Sequence, residues 1–197
     1  MSEVRDVESP RRPAGFTQET LDWAPWAEPI ALADADDRQR PLLEGQRGES
    51  PYFRLLARNA EVLAHRSAND KEIFYSRDGL SRAERELAAT VTSRHNGCVY
   101  CASVHSHFTA QLSKRTEDVQ RLLDEGTGVR IDERWDAIID FTSALAAQPP
   151  RAEAAHIARL RAVGLRDNEI HDLVLSTASF SWANRMMLSL GEPEVPA

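Results

Sequence analysis

An all-α fold is what this sequence predicts, on three observations. Apolar residues recur at helical spacing from Ser50 onward, helix caps and glycines punctuate the pattern, and no stretch beyond residue 50 alternates convincingly with period two. At 197 residues the chain suffices for a single domain with a core of its own. Residues 1–49 are rich in Pro, Arg, Asp and Glu, and are expected to form an irregular arm. Its anchors Phe16, Leu21, Trp23, Trp26 and Leu32 would pack onto the core or onto a neighbouring subunit. Residues 50–197 are expected to be the helical domain.

Ser50-Pro51 opens the first helix, with Ser as N-cap and Pro at the first helical position. Helix-compatible text continues through Ile73 and Phe74 and ends before Asp78-Gly79. Ser81 and Glu84 form a capping box for a helix that stops at Asn96-Gly97. The next helix is predicted from Cys98 to about Ser113, and Thr116 caps a short one ending at Gly126. Asp132 caps a helix reaching Ala147, stopped by Pro149-Pro150. A further helix spans Glu153 to Val163, and Asp167 caps the last, which ends near Leu190-Gly191. Gly79-Leu80 followed by Glu84 recurs as Gly164-Leu165 followed by Glu169, which suggests an internal pseudo-repeat. In that register Glu86 maps to His171, Cys98 to Ala183, Cys101 to Met186 and His105 to Leu190. The other reading is a chance recurrence of a common C-cap-to-capping-box sequence.

Composition narrows the function. A net charge of −7 with no Lys/Arg run argues against nucleic acid as a partner. No stretch approaches the roughly 20 apolar residues a membrane helix requires. Met1 to Gly15 carries Glu3, Asp6 and Glu8 and no apolar core of a signal peptide, so a cytoplasmic, reducing location is expected. The two cysteines sit together as Cys98-Val99-Tyr100-Cys101, which in such a compartment points to redox or metal chemistry rather than a disulfide scaffold.

Three spacings give that pair a chemistry. Cys98 falls at the start of its helix, where unpaired N–H groups and the helix dipole favour a thiolate. Cys101 and His105 follow on the same face, His105 one turn beyond Cys101, as a base must be to take a thiol proton. If Asn96-Gly97 turns an antiparallel hairpin, Glu86 approaches His105 and orients it. The second thiol then resolves an oxidised first one.

Glu86, eleven residues, Cys98-x-x-Cys101, three residues and His105 resembles the motif of the alkylhydroperoxidase D / carboxymuconolactone decarboxylase superfamily. The likeness is most specific from Leu80 to Leu112. The stretch Ser50-Pro51-Tyr52-Phe53-Arg54-Leu55-Leu56-Ala57 and the pair Asn184-Arg185 look like its peroxidase-related branch. The resemblance implies an alkylhydroperoxidase D-like helical bundle, assembled as a homo-oligomer, that reduces organic hydroperoxides, with hydrogen peroxide as a further candidate substrate. It implies Cys101 as the peroxidatic thiol, Cys98 as its disulfide partner, and Glu86 with His105 as the proton relay. It further implies no bound cofactor and an external dithiol as reductant. The decarboxylase branch lacks the cysteine pair. The alkylhydroperoxidase D type has His where this chain has Tyr100, so Tyr100 is a second-tier site candidate, as is His171 through the repeat.

Dipole reasoning alone favours Cys98 as the lower-pKa thiol, whereas His105 and the resemblance favour Cys101 as nucleophile. Zinc is the first rival: His105 and His107 point about 200° apart on one helix at roughly 100° per residue, so they cannot complete one tetrahedral site with the thiols. Inert structural thiols are the second. Trp135, Trp182, Met186 and Met187 read as core or interface residues, and His95 and His107 as helix-end and surface residues. The functional alternatives are a non-catalytic redox-sensing oligomer, and an enzyme with decarboxylase-like chemistry that needs no thiols.

Overall fold

A computed structural model describes residues 11–196. The first ten residues of the N-terminal arm, most of the stretch read above as no export signal, lie outside them, as does Ala197. The arm holds strand β1 (Asp22–Pro25), 3-10 turns at Leu32–Asp34 and Arg40–Leu43, and the single turn α1 (Gln46–Glu49). Then come α2 (Pro51–Leu56), a 3-10 turn, α3 (Ala60–Tyr75), α4 (Arg82–Asn96), α5 (Val99–Ser113) and α6 (Thr116–Glu125). The chain ends with α7 (Glu133–Ala146), α8 (Ala154–Ala162), α9 (Asp167–Leu190) and strand β2 (Gly191–Glu194). The fold is the expected all-α bundle.

Most predicted boundaries fall within a residue or two, with instructive differences. The text from Ser50 to Phe74, compatible with one helix or two, forms two: a 3-10 turn at Ala57–Asn59 separates α2 from α3, and Asn59 caps α3 by accepting from the Val62 N–H at 3.1 Å. Thr116 and Asp167 are first helical residues, and Arg115 and Arg166 occupy the cap positions instead. Strands β1 and β2 pair antiparallel, Trp23 opposite Pro193, and tie the arm to the end of α9. Four-residue strands containing Pro25 and Pro193 are too short to show alternation. Trp23 is buried edge-on against Tyr52 at 5.7 Å, whereas Trp26 is 63% exposed.

Helix α4 is the axle. It packs on α5, α9 and α7, and every residue from Glu84 to Ser93 is buried. On one side Leu87, Val91, Ile138, Ile139, Leu160 and Leu173 form a core among α4, α7, α8 and α9. On the other, the arm, α2 and α3 build a second core with Cys98, Cys101, Phe180 and Met187. Such a helix must satisfy each of its polar groups internally. Thr92 returns its hydroxyl to the Ala88 carbonyl, and Glu84 bonds Arg134 of α7. Arg85, 1% exposed, donates to the Ile73, Ser76 and Asp78 carbonyls at the end of α3 and pairs with Asp172 of α9 at 3.1 Å.

The α4 and α9 starts lie at the same offset as Gly79 and Gly164, both glycines have positive φ, and Leu80 and Leu165 are both buried. A side chain at Gly79 is ruled out twice: φ is +90°, and a Cβ would lie 2.1 Å from Asp172 Oδ2. Helix α9 then runs straight through the region where the first copy turns at Gly97.

Candidate active site

Gly97, at φ 79°, ends α4 in the left-handed conformation, and the chain reverses into α5. Cys98 does not begin α5, as the sequence suggested, but is its extended N-cap; its carbonyl accepts from the Ala102 N–H at 3.0 Å. Both thiols are free and buried. The hairpin is fastened midway by Thr90 and Thr109, whose hydroxyls lie 3.1 Å apart. One turn before Thr90 and Thr109 in each helix, Glu86 and His105 meet diagonally: His105 Nδ1 lies 2.6 Å from Glu86 Oε2, a direct contact. Glu86 is 2% exposed and its other oxygen accepts from Arg82 Nε at 3.2 Å. Phe180 stands edge-on to the imidazole at 4.1 Å, and Phe74 closes it from α3 at 5.6 Å. With Nδ1 committed to Glu86, Nε2 is the nitrogen available for proton exchange.

His105 and Cys101 line one cavity of about 140 Å³, and Cys98 does not. Tyr100 lines it too, its phenol pushed up to about 12 by burial. Sequence reasoning missed three of its neighbours. Arg66, from α3, is the only guanidinium among the described residues that line the cavity, held by Asp70 at 3.3 Å and by the Phe53 face. Tyr52 lines the same space, with a buried hydroxyl that has no hydrogen-bond partner among the described residues. Asn184, 0% exposed on α9, donates to Ser93 Oγ at 3.1 Å and accepts from Asn96 at 3.0 Å beside the thiols. The Asn184-Arg185 pair and the stretch Ser50 to Ala57 carried a signal for Asn184 and Tyr52 without giving either a role; nothing local marked Arg66. His171 is exposed and is not among the residues lining this cavity, so the repeat does not bring it to the thiols. His107 is exposed, and Trp135 is core.

The thiols are not equivalent. Cys98 is held below the ordinary cysteine value because it accepts the Cys101 S–H; burial opposes this, and the Cys101 N–H and Asn184 reinforce it. Cys101 is driven well above that value by the same bond, by burial and by the Cys98 charge, with Asn184 and Arg66 pulling the other way. The dipole argument thus names the thiol of lower pKa, while the cavity names the thiol that a ligand can meet. The reduced protein is expected to titrate in two macroscopic steps, one below and one above about 8.5, read from thiolate absorbance. The linked stability has opposite signs. The lowered Cys98 contributes stability present above about 8.5 and lost as pH falls through its own pKa; the raised Cys101 withdraws stability as pH rises above about 8.5. A single step near the ordinary value would contradict this pairing.

The profile of the Carboxymuconolactone decarboxylase family matches residues 60–137, the span that holds Glu86, both cysteines and His105. A peroxidase-related protein from Silicibacter sp. TM1040 is similar in structure, with a TM-score of 0.70 at 25% identity over 85% of this chain and 92% of that one. By this profile and this structure the chain is similar to the alkylhydroperoxidase D / carboxymuconolactone decarboxylase superfamily. Two other members of this structural group show the same fold. An alkylhydroperoxidase AhpD core protein from Ralstonia eutropha JMP134, described as peroxidase-related, gives a TM-score of 0.74 at 22% identity over 85% of this chain and 90% of that one. The debrominase Bmp8, solved with 2,3,4-tribromopyrrole, gives 0.67 at 17% identity over 83% and 88%. No curated protein matches the sequence. The matched profile and these similar structures point to an enzyme of peroxidase-like or decarboxylase-like type.

Proposed function

We propose that the protein is a thiol-dependent peroxidase that reduces organic hydroperoxides, hydrogen peroxide included among its oxidants, at Cys101. One observation carries this reading: the buried thiol that lines the cavity shares it with a histidine held at 2.6 Å by a buried carboxylate. That is a nucleophile, a proton carrier and an orienting group converging on a space large enough for a small substrate. Decarboxylase-like chemistry would have no use for the second thiol.

The cycle uses the pair and the histidine together. Cys101 gives up its proton to His105, with its hydrogen-bond partner Cys98 as relay, and becomes nucleophilic while substrate is bound. Arg66 faces the sulfur on which negative charge then gathers. The thiolate attacks the terminal peroxide oxygen; the S–O bond forms, the O–O bond breaks, and the alkoxide takes a proton from the His105 imidazolium to leave as alcohol. Cys98 then attacks the sulfenic sulfur. The S–S bond forms, the S–O bond breaks, and the departing hydroxide leaves as water with the proton Cys98 had held. The dithiol has lost two electrons, and an external dithiol returns them. Cytoplasmic residence and assembly as a homo-oligomer belong to the same reading.

The test is a free-thiol count on reduced protein before and after one equivalent of an alkyl hydroperoxide. Loss of both thiols within seconds, with the alcohol released, is the expected result. Thiols that persist for hours would sink the reading. Disulfide formation without turnover in the presence of a dithiol would turn it toward the redox-sensing alternative.

A further inference from the structure

A second concavity, of about 450 Å³, lies between the end of α4, α7 and α8 and shares no lining residue with the Cys101 cavity. It is cationic in a chain of net charge −7. Arg130, Arg151 and Arg159 line it against a single carboxylate, Asp140. Asp140 is already shared: Oδ1 accepts from Arg130 at 3.1 Å, and Oδ2 accepts from Arg159. Arg151 has no ion pair among the described residues, and its backbone N–H is fixed to the Ala144 carbonyl at 2.7 Å. Two guanidinium charges thus remain unmatched across one concave surface, an arrangement that is unfavourable when empty and suited to a dianion.

Two further groups converge on it. Ser143 lines the concavity with a buried hydroxyl that has no hydrogen-bond partner among the described residues. His95 lines it from α4, its imidazole held below the ordinary histidine range by burial and by the Arg151 charge, which places Arg151 close by. His156, also lining, is turned toward its own helix start, where Nδ1 accepts from the Glu153 N–H. Donors from guanidinium, hydroxyl and imidazole around a positive hollow match tetrahedral oxygens better than the two in-plane oxygens of a carboxylate. The volume exceeds what a bare ion fills and falls in the range of small-molecule sites.

We propose that this concavity binds a phosphate group, held between Arg151 and the Arg130–Asp140–Arg159 cluster, with His95 and Ser143 as additional partners. The source is either inorganic phosphate or a phosphate monoester, and the rest of the hollow would take the organic part of the latter. The test uses the full-length protein at constant ionic strength, with His95 followed by NMR and assigned through His95→Gln. Inorganic phosphate and phenyl phosphate are titrated separately against sodium chloride. The expected result is saturable binding that raises the His95 pKa by about one unit, because an anion near the ring favours imidazolium. Arg151→Gln is expected to weaken it about tenfold or more, the worth of a charge-assisted hydrogen bond. Tighter binding of phenyl phosphate identifies a monoester site, and equal binding a site for the ion; either supports the proposal. A His95 shift no larger than chloride produces, or one unchanged in Arg151→Gln, overturns it. Hydroperoxide consumption is not needed for this readout, so its failure and a failure of the peroxidase reading are separable.

Discussion

Cys101→Ser is expected to lower hydroperoxide turnover about a thousandfold or more, the usual consequence of removing a nucleophile. Serine keeps the shape of the 140 Å³ cavity and the helical contacts of α5, so folding should be retained and the loss assigned to chemistry. Cys98→Ser should behave differently. The Cys101 thiol loses its proton relay, yet still meets peroxide, so the first oxidation should be slow and stop at a sulfenic acid that dimedone traps on Cys101. Glu86→Gln keeps a side chain within reach of His105 but removes the charge that balances an imidazolium, and is expected to cost about a hundredfold. Stopped-flow peroxide consumption with mass-spectrometric mapping of the adduct checks all three. Full activity in Cys101→Ser would mean that the thiol pair is not the site.

Arg85→Ala is expected to be the most destabilising change away from the thiols, by about 3–5 kcal/mol, or roughly 6–20 °C in Tm. Arg85 is buried within α4 and satisfies three carbonyls where α3 ends, while its ion pair reaches α9. Alanine would leave those carbonyls and the Asp172 charge short of a partner, with a cavity besides. Its neighbour is Glu86, so loosening this junction should also release the Glu86–His105 contact. Thermal unfolding followed by circular dichroism measures the first effect. A Tm within a few degrees of wild type would show that water replaces Arg85 at little cost.

Much of the site was legible because its residues are close in sequence. Glu86, Cys98, Cys101 and His105 lie on one helical hairpin, and helix periodicity with a glycine turn determines which of them share a face. Asn184 was half-visible, as part of a dipeptide that resembles the peroxidase-related branch, though its role beside Ser93 was not. His171 illustrates the limit of the repeat argument. The helix starts correspond, but the second copy has no turn at the position of Gly97, and His171 stays exposed and outside the lining of the thiol cavity.

By itself the sequence determined the helical class, most helix ends, and the spacing that brings a carboxylate, an imidazole and two thiols together, because these depend on contacts within a turn or across one hairpin. Only the tertiary structure decided which thiol faces a cavity, and that Arg66 from α3 and Tyr52 from α2 face it too. It also decided that the arm closes the bundle by pairing β1 with β2, more than 160 residues apart in the chain. The physical reason is the same in each case. Periodicity specifies which face of a helix is buried, but not against which distant segment, and that choice belongs to the packing of the whole chain.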